Sequence, residues 1–221
     1  MKKLSLLAAL LFVFIAARPQ VVATKSSNNV SAGFDIFTDV FTKSPDGIKM
    51  RAINQGFGFS TTYNFKVGET KHIFAMGAGL RMHNFYSNGI ISDVKADTIV
   101  MSPINKDLNY KRSKLGLTYI DIPAEFRLRF KDNWKIGIGF KMGIALDSKT
   151  KYRGQTVKDG PYRLIKEKRI NALEKYTFGP TLRVGYKWVN LYAYYQPSRI
   201  FQRDLGPEIY PLSLGITITP Y

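Results

Sequence analysis

The stretch Thr118-Tyr119-Ile120-Asp121-Ile122-Pro123-Ala124-Glu125-Phe126-Arg127-Leu128-Arg129-Phe130 decides the fold. One parity holds Thr118, Ile120, Ile122, Ala124, Phe126, Leu128 and Phe130; the other holds Tyr119, Asp121, Pro123, Glu125, Arg127 and Arg129. Side chains along a strand point alternately to opposite faces, so this is a strand with one oily face and one ionic face. The next segment repeats the pattern. Ile136, Ile138, Phe140, Met142, Ile144 and Leu146 alternate with Lys135, Gly137, Gly139, Lys141, Gly143 and Ala145. Alternation returns at Lys175–Tyr186 and at Leu212–Thr219.

Working outward, the periodicity predicts eight strands, at 30–41, 50–65, 71–86, 115–130, 134–149, 174–187, 190–201 and 209–220. The connections alternate in length. Lys66–Thr70, Lys131–Asn133 and Trp188-Val189 are short, whereas 42–49, 87–114, 150–173 and 202–208 are longer. An even number of antiparallel strands puts the short turns and both ends of the chain on one side and the long loops on the other. The expected fold is an all-β, eight-stranded antiparallel transmembrane barrel, an up-and-down meander with short periplasmic turns and long external loops. A soluble, lipocalin-like ligand carrier also alternates, with its oily face inward. Three features favour the membrane. Glycines crowd the polar face, where a narrow lumen needs small side chains. Aromatic residues gather at the short-turn ends (Phe65, Phe130, Trp134, Tyr186, Trp188 and Tyr221) as in an interfacial girdle. The strands are also long for a soluble barrel. Pro123, Pro180, Pro197 and Pro211 are expected at bulges or rims, because a closed sheet has no free edge for them.

The chain has 221 residues, 33 Lys+Arg against 16 Asp+Glu, and no cysteine. A disulfide scaffold, a thiol nucleophile and thiolate metal sites are thereby excluded. Met1-Lys2-Lys3, the uncharged run Leu4–Ala17 and Val21-Val22-Ala23 form the three-part pattern of a secretory signal. The expected organisation is a signal peptide at 1–23, a short segment at 24–29 and the barrel at 30–221. Cleavage after Ala23 leaves 30 basic and 16 acidic residues. Export to the outer membrane removes nucleic acid as a natural partner.

Tyr119-Ile120-Asp121-Ile122-Pro123 followed by Glu125-Phe126, with Lys135–Lys141 and Gly185-Tyr186-Lys187, resembles the PorT-like outer-membrane β-barrel family of Gram-negative bacteria. The resemblance runs from about Val30 to Tyr221. It implies an eight-stranded outer-membrane barrel without enzymatic activity, in a family whose namesake branch is linked to secretion. One departure concerns the barrel-insertion machinery, which reads a terminal aromatic with apolar residues at alternate positions before it. Tyr221 supplies the aromatic, but Leu212, Leu214, Ile216 and Ile218 have the opposite parity.

Two sets of residues are candidates for function. Asp121, Glu125, Arg127, Arg129, Lys135, Lys141 and Arg183 are expected to form an inward polar network, either a static ion-paired plug or a gate. Lys149, Lys151, Arg153, Lys158, Arg163, Lys166, Lys168 and Arg169 are expected on an external loop, facing lipopolysaccharide or simply solvated. The expected protein is monomeric and has a structural or interaction role. Its partners are outer-membrane lipid, the insertion machinery and an envelope protein, and no cofactor or metal is expected. The alternative is a lipid-modifying enzyme, for which His83, near Ser87, is the one plausible base. No compact serine motif surrounds it, so His83 is expected at the surface or rim.

Overall fold

The computed structural model describes residues 29–219, so the signal segment, Pro220 and Tyr221 lie outside the described residues. Eleven strands run in chain order: β1 (Val30–Lys43), β2 (Gln55–Lys66), β3 (Ile73–Ser87), β4 (Gly89–Ile91), β5 (Met101–Pro103), β6 (Tyr110–Arg129), β7 (Trp134–Gln155), β8 (Tyr162–Lys168), β9 (Tyr176–Tyr186), β10 (Val189–Tyr195) and β11 (Tyr210–Ile218). Eight of them close into a barrel. The ring runs β6-β3-β2-β1-β11-β10-β9-β7, and the β6–β7 ladder joins its ends. Every ladder is antiparallel between strands adjacent along the barrel path, so the topology is a meander. Closure satisfies the backbone where no water is present to do so.

The two parities separate as the pattern demands. Phe34, Ile36, Phe57, Phe59, Met76, Leu80, Ile120, Ile122, Phe140, Met142, Phe178, Leu182, Leu214 and Ile216 are all exposed on the outside. Their opposite-parity neighbours, including Asp35, Asp39, Arg81, Asp121, Glu125 and Lys141, are buried inside. An oily exterior around a polar interior is the arrangement of a membrane barrel and the reverse of a soluble carrier. At the short-turn end Trp134 and Tyr186 meet with ring centroids 5.5 Å apart, and Phe65 stands beside Phe74. Glycine gives the lumen its space. A Cβ at Gly143 would come within 2.5 Å of Asp121 Oδ1, and one at Gly137 within 2.8 Å of Glu125 Cδ.

Several boundaries differ from expectation. β6 begins at Tyr110 rather than 115, and β7 runs on to Gln155. The segment read as a loop at 150–173 contains β8, which pairs with β7 from Lys149↔Lys168 to Gln155↔Tyr162. The seventh barrel strand stops at Tyr195, so Pro197 lies beyond it. Pro180 sits where the β9–β10 ladder ends, and Pro211 pairs with Phe41 beside a register shift. Pro123 is the exception to the expected bulge or rim. It sits mid-strand, opposite Lys141, and the β3–β6 ladder omits the rungs between Met76↔Ala124 and Gly79↔Asp121. The missing N–H is thus accommodated by a local gap in one ladder.

A genuine bulge occurs where the β6–β7 register shifts between Thr118↔Asp147 and Tyr119↔Ala145. Leu146 is the extra residue. Before it the even residues of β7 face outward; after it the odd residues do.

The long connections pack together over the outer mouth. Ile91, Val94, Ile99, Ile170, Ile200, Phe201 and Ile209 join Phe85, Leu115, Leu117 and Tyr119 in one buried cluster. Backbone bonds tie the segments: Ile99 N–H donates to Leu205 O at 2.8 Å, Asn171 N–H to Val94 O at 2.8 Å, and Glu174 N–H to Ile200 O at 2.9 Å. Glu208 accepts from Lys43 and lies 2.5 Å from Arg199 Nη2. The hydrogen bond from Lys43, aided by the charge of Arg199, holds its carboxyl below the ordinary value of 4.5.

Two outcomes follow. Phe140→Arg, midway along the oily face, should destabilise the barrel by about 2–4 kcal/mol. Val157→Arg, in the β7–β8 turn, should leave it unchanged; urea titration in lipid vesicles reads both. The Glu208 clamp should be intact above the carboxyl's unfolded pKa and be lost as pH falls through its lower folded value. Cleavage within 196–209 should therefore rise only as pH falls below the ordinary carboxylate range, and Glu208→Gln should abolish that rise.

Candidate functional site

The lumen holds three linked groups of polar side chains, stacked from the short-turn end outward. In the first, Glu125 accepts from Arg127 Nε at 2.6 Å and also pairs with Arg183. Arg127 reaches Ser31 Oγ and Asn64 Oδ1, each at 3.2 Å, on β1 and β2. Arg183 donates to Thr217 Oγ1 at 3.1 Å and lies 3.5 Å from Asp35 Oδ1, while Thr217 donates to Asp35 at 2.6 Å. Five barrel strands, β1, β2, β6, β9 and β11, are thereby drawn to two carboxylates. A cavity of about 30 Å³ beside this group has Lys135 in its lining and room for about one water.

The second group centres on Arg81. Its Nε lies 2.8 Å from Asp121 Oδ2, and its Nη2 donates to Asp121 Oδ1 at 3.0 Å and Thr177 Oγ1 at 3.1 Å. The guanidinium lies between the rings of Tyr194, 4.5 Å away, and Tyr119, 5.0 Å away. Lys141 Nζ stands 3.7 Å from Asp121 Oδ2 and donates to Tyr192 Oη at 2.8 Å. In the third group, Asp39 pairs with His83 Nδ1 at 2.8 Å and accepts from Ser213 Oγ at 2.6 Å. Above it lies the apolar cluster of the loops.

Of the residues expected inward, Asp121, Glu125, Arg127, Lys141 and Arg183 are joined by these bonds. Arg129 and Lys135 lie at the short-turn end, where the Arg129 amide donates to His72 Nδ1 at 3.3 Å. Sequence reasoning missed Asp35, Asp39, Arg81, Tyr192 and Tyr194. It also misplaced His83, which is 1% exposed inside the barrel rather than at the rim. The carboxylate of Asp39 and the rings of Phe37, Phe85 and Tyr119 surround it. This is not a hydrolytic triad, since the base must contact the nucleophile. Ser213 bonds to Asp39, and among the described residues no hydroxyl meets His83 Nε2. Ser87 accepts instead from the Gly89 amide at 3.1 Å. Among the described residues no group of carboxylates and histidines is arranged to hold a metal.

The expected external patch divides between positions. Lys149, Lys151, Arg153, Lys166 and Lys168 share the outward face of the β6–β7–β8 sheet. Arg163, opposite Gly154, belongs to the other face; Lys158 lies in the turn; and Arg169 follows β8, its carbonyl accepting from Lys95 Nζ at 2.8 Å. Two residues assigned by sequence to a loop, Arg112 and Lys114, stand on β6 and join the outward face.

Residues 24–201 match the family model described as the outer membrane protein beta-barrel domain. No curated protein matches the chain. Among solved structures, similarity is found to Ail, the attachment invasion locus protein of Yersinia pestis. A structure in complex with the heparin analogue sucrose octasulfate has a TM-score of 0.40, and another structure of Ail has 0.42. Each is 13% identical, and each alignment covers 87% of this chain and 98% of that one.

Asp121→Ala would leave Arg81 and Lys141 buried without their carboxylate, at a cost of about 3–5 kcal/mol. The double variant Arg81→Met/Asp121→Ala should recover only part of that loss, because Lys141 keeps Tyr192 but no carboxylate. A double-mutant cycle in urea, read by heat-dependent gel migration, measures the coupling.

Proposed function

The chain belongs to the outer membrane protein beta-barrel domain family, and from that premise we propose that this integral outer-membrane barrel is a non-enzymatic, non-conducting protein that presents an external surface for interaction. The observation that carries the reading is the filling of the lumen. Its charges are engaged with one another from Arg127 up to Asp39, and the loops' apolar cluster lies over them. A static plug, rather than a gate, accounts for these bonds. What remains for recognition is outside: the β6–β7–β8 sheet and the packed loops. In this role the protein acts as a monomer among outer-leaflet lipids, with an envelope protein as partner and no nucleic acid or cofactor. Residues 1–23 act as its export signal, and the insertion machinery assembles the barrel.

The finer resemblance to the PorT-like branch draws support from the work its motif does here. Asp121 pairs with Arg81, and the Tyr119 ring covers the same guanidinium. A role in secretion or envelope assembly through the outer surface is consistent with that branch.

Purified barrel in planar bilayers should show no stepwise conductance, and incubation with phospholipid or lipid A should release no fatty acid. Regular conductance steps, or a hydrolysis lost in a folded His83→Ala variant, would overturn the proposal.

A further inference from the structure

The strands that leave the membrane carry an unusual face. Above the bulge at Leu146, the outward residues of β6, β7 and β8 stand in cross-strand rows. One row is Lys114, Lys151 and Lys166. On one side of it lie Arg112 and Arg153; on the other lie Lys149 and Lys168, with Gly116 beside Lys149. Directly opposed side chains in such rows lie about 5 Å apart, and like charges there repel. None of these seven cations forms an ion pair among the described residues. Glu167, the acid of β8, pairs with Thr150 and so belongs to the other face. Asp147 is the one acid on this face, at its foot opposite Thr118.

Local contacts hold Lys114 and Lys149 in place. Lys114 donates to Asn84 Oδ1 at 2.6 Å and lies 5.8 Å from the centre of the Tyr86 ring, over which Arg51 also sits at 5.4 Å. The stem of Lys149 lies along Gly116, where a Cβ would come within 3.2 Å of it. Burial, followed by Lys149, Lys151 and Arg112, lowers the Lys114 pKa below its ordinary value. The face is thus a concentration of positive charge without a protein counter-ion.

Its position identifies the counter-ion. The same outward parity that gives Ile120, Ile122 and Phe126 to lipid gives Gly116, Lys114 and Arg112 farther up β6. The cations therefore stand just beyond the apolar band on the loop side, at the level where outer-leaflet headgroups begin. We propose that the face built by the Lys114–Lys151–Lys166 row and its basic flanks seats the phosphate groups of the outer leaflet's phosphorylated glycolipid. Lysine and arginine near a membrane surface attract anionic lipid in this way. This rests on the outer-membrane reading above and adds a ligand and a site to it.

The test uses folded barrel in detergent, titrated with bisphosphorylated lipid A and with its dephosphorylated form, and bound lipid is counted by native mass spectrometry. The phosphorylated form should bind more tightly. Lys114→Gln/Lys151→Gln/Lys166→Gln should weaken it by roughly fivefold per lysine. Lys158→Gln/Arg163→Gln, which removes basic residues from the turn and the other face, should leave binding unchanged. Heat-dependent migration confirms that each variant is folded, and a Lys114→Gln single variant stands in if the triple variant is not. Equal binding of the two lipid forms, equal loss in the triple and control variants, or full competition by millimolar inorganic phosphate alone would overturn the proposal. None of these results depends on conductance or hydrolysis, so the site can fail while the non-conducting, non-enzymatic reading stands.

Discussion

An eight-stranded wall leaves a lumen only about as wide as its own side chains. Much of this molecule follows from that width. Polar residues must face inward because the outward positions meet lipid, and once inside they have only one another for partners. Asp121 takes the guanidinium of Arg81 and the ammonium of Lys141; Glu125 takes Arg127 and Arg183. Neither carboxylate has space unless the facing strand gives way, and glycines at 143 and 137 provide it. Small residues and ion pairs are therefore two sides of one packing solution. Removing either member of a pair leaves a charge that the narrow interior cannot hydrate.

The same constraint moves the apolar core elsewhere. In a soluble domain the oily residues fill the centre, whereas here the centre is polar and the outside oily. The conventional core forms above the membrane, where Ile99, Ile170, Ile200, Phe201 and Ile209 meet the top of β3 and β6. That location explains why the longest connections are held by so many backbone bonds. They form a lid whose interior is a second, separate hydrophobic cluster. A lumen filled with paired polar side chains beneath an apolar cluster of loops is why the proposed function turns to the outer surface.

Much of the barrel was legible because period two is a local property. Each of the strongest strands displays its two faces within its own sequence, and the alternation of short and long connections gives the closure. Pair identities are not local. Asp35 and Asp39 share their inward face with Phe37, and Arg81 and His83 share theirs with Phe85. An aromatic on the polar parity blurs the pattern where the network is most closely packed. The loop cluster was illegible for a related reason: its apolar residues come from several segments without periodicity. Pro123 is expected at a bulge or rim, yet the ladder simply omits rungs opposite it. Arg112 and Lys114 were assigned to a loop because nothing in their own sequence marks where the membrane ends and the strand continues.

That last point bears on the basic face. Below Leu146, the even residues of β7 face lipid and the odd residues face the lumen. Without an interruption, Lys149, Lys151 and Arg153 would continue the inward parity, while Ser148, Thr150 and Tyr152 would face out. One extra residue reverses this, since a single-residue shift sends every later side chain to the opposite face. After the bulge, Tyr152 turns inward to be buried and the three cations emerge opposite Lys114, Arg112 and Gly116. β8 then has a template on which Lys166 and Lys168 join the same side. The bulge therefore lies at the transition between two demands on one strand. Below it β7 must show oil to the membrane; above it the same strand shows charge at the height of the headgroups.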